Sequence, residues 1–522
     1  MRSRISLLMF LGLVLFVVAD SAAAQGRRRA VRSGVGTAPA AQITTFAVID
    51  QAVAESRISP DQAMLYKIFT IYDDPRLPQE MRGDDSGIAD TIYMSEVAAK
   101  YETLPVDVQM QVAPFLIPPF HKNSWYELRQ QQTTQPFQSL GITPYGFGIE
   151  RPCTDCPLSF EWEFVPTANG KVKVWYFASN ALDKLKAQGF ADEIDQVIWP
   201  KLKGLMGREP LPDDGEGWLG AAMGGDSRLD IALVDIGRSI TTARFSNKCN
   251  GAAWASIQFN KSRPREELAH ELMHAFQYAF NVKVRGGDCT GEGEYRWLME
   301  ATAEWVKDYI YPGSTSPHNE HWATPHFLRE PEAPLNHQQD PHWYGAYLFP
   351  FFLARLKGQT NIVGQVWANT EGVASLPAIE QALQPLGGFE KVWPEFVLHN
   401  WNEDPVDDYK KIDQLNARPK ESGDTLLKGA EVDQYATLNV ELPHLSASYK
   451  HFVFNDKVNS FAFLNGLTFV LSTEPRVLMN TFDLGHQYKW TAVPPEQKKG
   501  ASVQAILKRN GKWEEPLDWT NV

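Results

Sequence analysis

The chain has 522 residues, 43% hydrophobic and 22% charged, with a formal charge of −13, the makeup of a globular protein of roughly two to four domains. The excess of acid argues against nucleic acid or an anionic membrane surface as partner. No internal repeat is evident.

Residues 1–24 carry Arg2 and Arg4, an apolar run from Ile5 to Ala19, and then Ala22, Ala23 and Ala24. This pattern predicts a secretory signal peptide cleaved before Gln25, its apolar part being short for a membrane span. Removal takes away Arg2, Arg4 and Asp20, leaving a mature chain of charge −14 with no later run of about 18 apolar residues. A soluble exported protein, periplasmic or extracellular, is expected. Residues 25–42 are small, basic and unpatterned and read as a flexible tether.

A helical segment over 43–150 follows. Ile49, Val53 and Ile58 space a first amphipathic helix. Ser59, Pro60 and Gln62 then stand at N-cap, N1 and N3 of a second, running to about Tyr72. Further helices are predicted over 95–101 and 106–115, ending at Ile117-Pro118-Pro119. A permanent helical lobe is the expectation, with a removable pro-region as the alternative. Cys153 and Cys156 lie in a loop, while Cys249 and Cys289 flank a later helix. Four thiolates could bind a structural zinc, but export favours disulfides, with 153–156 and 249–289 the preferred pairing of three.

Strands are predicted over 171–177, 228–235 and 253–259, with an amphipathic helix over 190–205. The loop holding Asp213, Asp214, Glu216 and Asp226 reads as a solvated turn rather than a calcium site. Ser262 and Pro264 then open a helix containing His270-Glu271-Leu272-Met273-His274, an H-E-x-x-H. Four residues apart, the two imidazoles share one helix face and can bind one zinc ion, with Glu271 beside them to take a proton from a metal-bound water. Leu268, Leu272, Ala275, Phe276 and Ala279 form the stripe that buries this helix. In the next amphipathic helix Glu300 and Glu304 border the buried edge. A carboxylate there could complete the zinc set, and its i+4 neighbour could accept a hydrogen bond from a ligand histidine.

At these residues the chain resembles the gluzincins, zinc peptidases in which a Glu on a later helix joins the H-E-x-x-H. The resemblance implies His270, His274 and Glu300 as zinc ligands, Glu271 as general base and Glu304 as the acid supporting a ligand. The segments H-E-L-M-H-A-F-Q-Y-A-F and W-L-M-E-A-T-A-E-W look like those of uncharacterised secreted bacterial metalloproteases, from about residue 45 onward. Twenty-five residues lie between His274 and Glu300, a longer spacer than in well-known gluzincins, and position 304 is Glu rather than Asp. Gln277 and Phe280 stand where a metzincin needs Gly and His. The resemblance also implies that the last strand, 253–259, lines the cleft and pairs with an extended substrate.

Beyond Glu304 a helical lower lobe is expected, with a strongly apolar helix led by residues 343–349 and broken or kinked at Pro350, and another over 389–400. His318, His321, His326, His337 and His342 read as surface histidines. One donor from this region should face the oxyanion of the tetrahedral intermediate: Tyr344 first, with Tyr347 and His342 behind it. From about Gln434, short alternating runs predict a small antiparallel sandwich suited to binding a glycan or surface protein. The expected fold class is therefore multidomain α+β: a zincin-like two-lobed catalytic unit over 158–415, the helical N-terminal segment and a C-terminal β-sandwich over 430–522. The expected function is a secreted Zn2+-dependent endopeptidase acting on a peptide or protein. The alternative is an exported surface-binding protein retaining an inactive zincin scaffold.

Overall fold

The computed structural model describes residues 44–83, 93–134, 161–213, 224–244, 252–283, 294–313, 323–338, 341–419, 425–427, 437–438, 442–454, 464–473, 482–483, 501–509 and 512–518. The expected signal peptide, the tether and all four cysteines lie outside them, as do His318, His321, Asp214 and Glu216. The described chain is a mixed α/β protein that divides into two compact units. One comprises Ala41–Pro317 with Gln338–Ala382, and the other His318–His337 with Leu383–Val522. Among the described residues no helix is long and apolar enough to cross a membrane.

The first unit begins with helices α1 (Thr45–Ala54), α2 (Pro60–Ile71), α3 (Tyr93–Lys100), α4 (Val106–Leu116) and α5 (Trp125–Thr134). The hydroxyl of Ser59 accepts from Gln62 N, so α2 starts at the predicted cap. These helices do not make a lobe of their own. Ile49, Ile68 and Phe115 share one hydrophobic cluster with Trp162, Trp175 and Ile240 of the sheet that follows. The expected boundary near 150 therefore separates no two cores.

That sheet has the order β1-β2-β3-β5-β4, with β1 (Trp162–Pro166), β2 (Val172–Phe177), β3 (Leu229–Val234), β4 (Ile240–Arg244) and β5 (Trp254–Asn260). Strands β2, β3 and β5 run parallel, and β1 and β4 pair antiparallel at the two edges. Between β2 and β3, α6 (Ala181–Glu193) continues through a π-helical turn at Ile194–Ile198 into α7 (Trp199–Met206). The central strands are buried on both faces. Lys173 in β2 is accordingly fully buried; its ammonium meets Asp230 and Asp226 at 3.1 Å each and donates to Gly224 O at 2.7 Å. Asp226 also pairs with Arg228, and these cations hold its carboxyl far below the usual range.

Helix α8 (Arg265–Gln277) leaves the C-terminal end of β5 and packs against α9 (Arg296–Ile310). After α9 come α10 (His342–Gly345), α11 (Leu348–Arg355) and α12 (Ile362–Thr370). Pro350 does not break the expected apolar helix. It occupies the third position of α11, where no intrahelical N–H is required, and the interruption falls earlier, at Ala346 and Tyr347.

In the second unit α13 (Gly388–Asn400) packs on a sheet of order β12-β11-β9-β8-β6, with β13 also on β11. The strands are β6 (Thr425–Leu427), β8 (Ser446–Phe454), β9 (Leu464–Thr473), β11 (Ala501–Arg509), β12 (Lys512–Trp513) and β13 (Leu517–Asp518), and β7 (Thr437–Leu438) pairs separately with β10 (Phe482–Asp483). This differs from a purely antiparallel sandwich, since β6 runs parallel to β8 and a helix covers the sheet. Tyr449 OH donates to Val397 O at 2.6 Å and Trp393 Nε1 to Ser446 O at 3.3 Å, tying α13 to β8. The run 389–415, expected to belong with the metal-bearing helices, groups with this unit instead.

At Gly364, α12 comes close to the backbone of α7. A Cβ there would run into the carbonyl oxygen of Leu205 in α7, which is backbone and cannot swing aside. Gly364→Ala is expected to destabilise the protein by roughly 1–3 kcal/mol, an ordinary overpacking cost. Thermal unfolding tests this, and an unchanged midpoint contradicts the packing described.

Candidate metal centre

The site is built on α8 and α9. Pro264 ends the extended chain leaving β5, and Glu266 and Glu267 fill the first turn of α8, where acid complements the helix dipole. Leu268, Leu272, Ala275 and Phe276 are fully buried, so the helix is fixed on its apolar face. His270, Glu271 and His274 are buried as well, at 2%, 0% and 0% exposure, as is Glu300 at 0%. The predicted metal face thus points into the protein, toward α9.

Three electron-pair donors meet there. Nε2 of His270 and Nε2 of His274 are 3.1 Å apart, and Glu300 Oε2 lies 3.2 Å from the first and 3.5 Å from the second. A tetrahedral zinc with bonds of about 2.0–2.1 Å separates its ligands by roughly 3.3 Å. The triangle therefore has the edge of one face of that tetrahedron, and the donor set of two imidazoles and a carboxylate is one that zinc accepts. Without a cation, atoms that all offer lone pairs need a proton among them. Burial alone would depress His270, but the carboxylates of Glu300 and Glu304 outweigh it and push the pKa up to about 10. Glu300 moves the other way: burial raises it, and the two imidazoles pull it well below the usual range.

The surrounding groups are equally constrained. His270 Nδ1 stands 3.0 Å from Glu304 Oε2, at ion-pair distance though off the line of a hydrogen bond. The other oxygen of Glu304 meets Lys307 at 2.6 Å, and Lys307 meets Glu267 at 3.0 Å. Glu271 Oε2 accepts from the hydroxyl of Thr241, while its Oε1 is buried with no hydrogen-bond partner among the described residues. Burial pushes Glu271 up to about 7 against the pull of His270, His274 and Thr241. A buried carboxylate with one oxygen anchored and one open is placed to exchange a proton with something not part of the chain.

Tyr344 in α10 lays its ring beside that of His270, centroids 6.3 Å apart and planes 25° apart. Tyr347 is fully buried, and His342, expected at the surface, is buried at 2% exposure. His326 and His337 belong to the other unit and are half-buried.

The expectation for the substrate strand is corrected by topology. β5 is internal, between β3 and β4, so the free edge beside Glu271 belongs to β4, a strand the sequence reading omitted. Ser95 of α3 already occupies that edge: its hydroxyl accepts from Ala243 N at 2.8 Å and lies 3.5 Å from Thr241 O and 2.9 Å from Tyr278 OH. Gln277, Thr241 and Lys307 were also missed. Gln277 and Lys307 had a signal, each standing three residues after a candidate site residue, His274 and Glu304, on the same helix.

A family of unknown function (DUF6055) matches residues 226–418, less than half of the chain. No curated protein matches it. Among solved structures the chain is similar to the ZmpB metallopeptidase from Clostridium perfringens, with 11% identity over 67% of this chain and 68% of that one. The TM-score is 0.25, at which a likeness does not establish a common fold.

Exchange of Glu300 for Gln removes a charged donor from the triangle, and the same exchange at Glu304 removes only a neighbour of His270. Zinc retention against a competing chelator should therefore fall further for Glu300→Gln than for Glu304→Gln. Removing such an outer partner typically costs roughly 10- to 100-fold. The reverse ranking reverses the two roles.

Proposed function

We propose that the protein is a secreted zinc-dependent endopeptidase of the gluzincin type, hydrolysing peptide bonds through a metal-activated water. The observation that supports it most is the convergence of His270 Nε2, His274 Nε2 and Glu300 Oε2 within 3.1–3.5 Å, with the open carboxylate oxygen of Glu271 on the same helix. A zinc ion held there would polarise a carbonyl and make its bound water more acidic. His270, His274 and Glu300 would hold it. Glu271 takes the proton of the attacking water as the new C–O bond forms and hands it to the leaving nitrogen as C–N breaks. Thr241 holds the other oxygen of Glu271, so the proton-carrying oxygen keeps its aim. Tyr344, beside His270, is the proposed donor to the developing oxyanion. Export rests on the pattern of residues 1–24, and the C-terminal strands are the proposed contact with a surface glycan or protein.

One observation favours a second reading, a metal-bearing exported binding protein without turnover. The backbone edge of β4 that an added peptide strand would use is taken at Thr241 and Ala243 by Ser95. Incubating the zinc-loaded protein with an unfolded protein and a peptide library, followed by mass spectrometry, separates the two. Chelator-sensitive cleavage supports the enzyme, and bound zinc with no cleavage supports the binder.

Glu271→Gln is expected to keep zinc and lose turnover by roughly 10²- to 10⁴-fold, the usual share of a general base. A clean preparation of this variant with the original rate would falsify the assignment. Tyr344→Phe keeps the ring, so zinc content and folding should persist while kcat drops by roughly 10²- to 10³-fold. An unchanged kcat moves the donor to Tyr347 or His342, which the same measurement on Tyr347→Phe and His342→Ala resolves.

A further inference from the structure

An imidazole can offer Nε2 to a metal only if its proton sits on Nδ1, and the group facing Nδ1 decides that. For His274 the group is an amide: Nδ1 lies 2.8 Å from Oε1 of Gln277. Amides can present either end, so the question is what holds this one. Its nitrogen donates to Met299 O at 2.9 Å and to Thr302 Oγ1 at 3.0 Å. A carbonyl only accepts. The hydroxyl of Thr302 directs its own hydrogen to Leu298 O at 2.7 Å, so it too must accept from Gln277, as it does from Trp367 Nε1 at 3.2 Å. Turned over, the amide would set oxygen against oxygen at Met299 in a place where Gln277 is only 2% exposed. The chain of donors therefore runs one way, from Gln277 into α9, and the amide oxygen is left for His274.

We infer that Gln277 is a positioning residue of the metal centre: its amide, locked by Met299 and Thr302, fixes His274 with hydrogen on Nδ1 and a bare Nε2. The inference rests on reading the cluster as a zinc site. The same side chain also ties α8 to α9 at Met299, the residue before Glu300, so one amide registers two of the three donors against each other. The support on the other histidine differs in charge. His270 faces the carboxylate of Glu304, already paired with Lys307, whereas His274 faces a neutral group that adds no charge to a buried centre.

The test begins with the metal-free wild-type protein, labelled with 15N-histidine and read by long-range 1H–15N correlation. His274 is expected to show a protonated Nδ1 and an unprotonated Nε2. The opposite tautomer overturns the inference without any substitution, and it does so even if the protein never binds zinc, the outcome that would instead defeat the peptidase reading. Gln277→Leu, which removes both ends of the amide, should lose the tautomer preference and weaken zinc binding roughly 10- to 100-fold in competition with a chromophoric chelator. Wild-type zinc affinity in folded Gln277→Leu overturns the role. Should that variant not fold, the wild-type spectrum decides.

Discussion

Three electron-rich atoms held about as close as zinc ligands, on side chains buried in the protein, are the constraint on which this molecule turns. His270 Nε2, His274 Nε2 and Glu300 Oε2 would repel one another in a metal-free protein unless a positive charge lay between them. A proton on His270 can supply it, since the carboxylates of Glu300 and Glu304 outweigh burial and push that imidazole up to about 10. A divalent cation satisfies all three at once. Holding the atoms in this arrangement requires two helices that cannot move apart, and much of the first unit does that work. Buried Phe276 and Leu272 fix α8, buried Trp305 and Ala301 fix α9, and the Gln277 amide and the Glu267–Lys307–Glu304 chain join the two from opposite ends.

The parallel strands matter to this arrangement through one connection and one contact. Strand β5 feeds directly into α8, so the register of the sheet sets where the helix begins. Thr241 in the neighbouring β4 reaches the carboxylate of Glu271. The N-terminal helices enter the same account through Ser95, which links α3 to the backbone of β4 and to Tyr278 at the end of α8. They share the core of the sheet, so removing them would expose Ile240 and Trp175 along with their own apolar faces.

What could be read beforehand was what lies close along the chain. The i, i+4 spacing of His270 and His274, the stripe Leu268–Leu272–Ala275, the Ser59 cap and the face shared by Glu300 and Glu304 all follow from helix periodicity. What could not be read depends on partners far away. Thr241 lies 30 residues before Glu271 on a five-residue strand, and nothing local marks it. The helix expected over 190–205 begins at Ala181, capped by Asn180, and its first turns escape the apolar pattern because Leu182 and Leu185 stand exposed at 69% and 70%. Lys173 made β2 look alternating, yet its ammonium is buried against Asp230. Pro385, Gly387 and Gly388 follow Leu383, yet a breaker marks only a local turn, and the division of the chain there is defined by contacts and not by composition.

The central claim is that the buried triangle is a zinc site. The most direct test is a crystal structure of the purified protein with anomalous difference maps collected on both sides of the zinc absorption edge. The account predicts a single strong peak, present above the edge and lost below it, within about 2.0–2.2 Å of His270 Nε2, His274 Nε2 and Glu300 Oε2. A peak bound elsewhere, or zinc-supplemented crystals in which these three atoms hold only a proton, would contradict it.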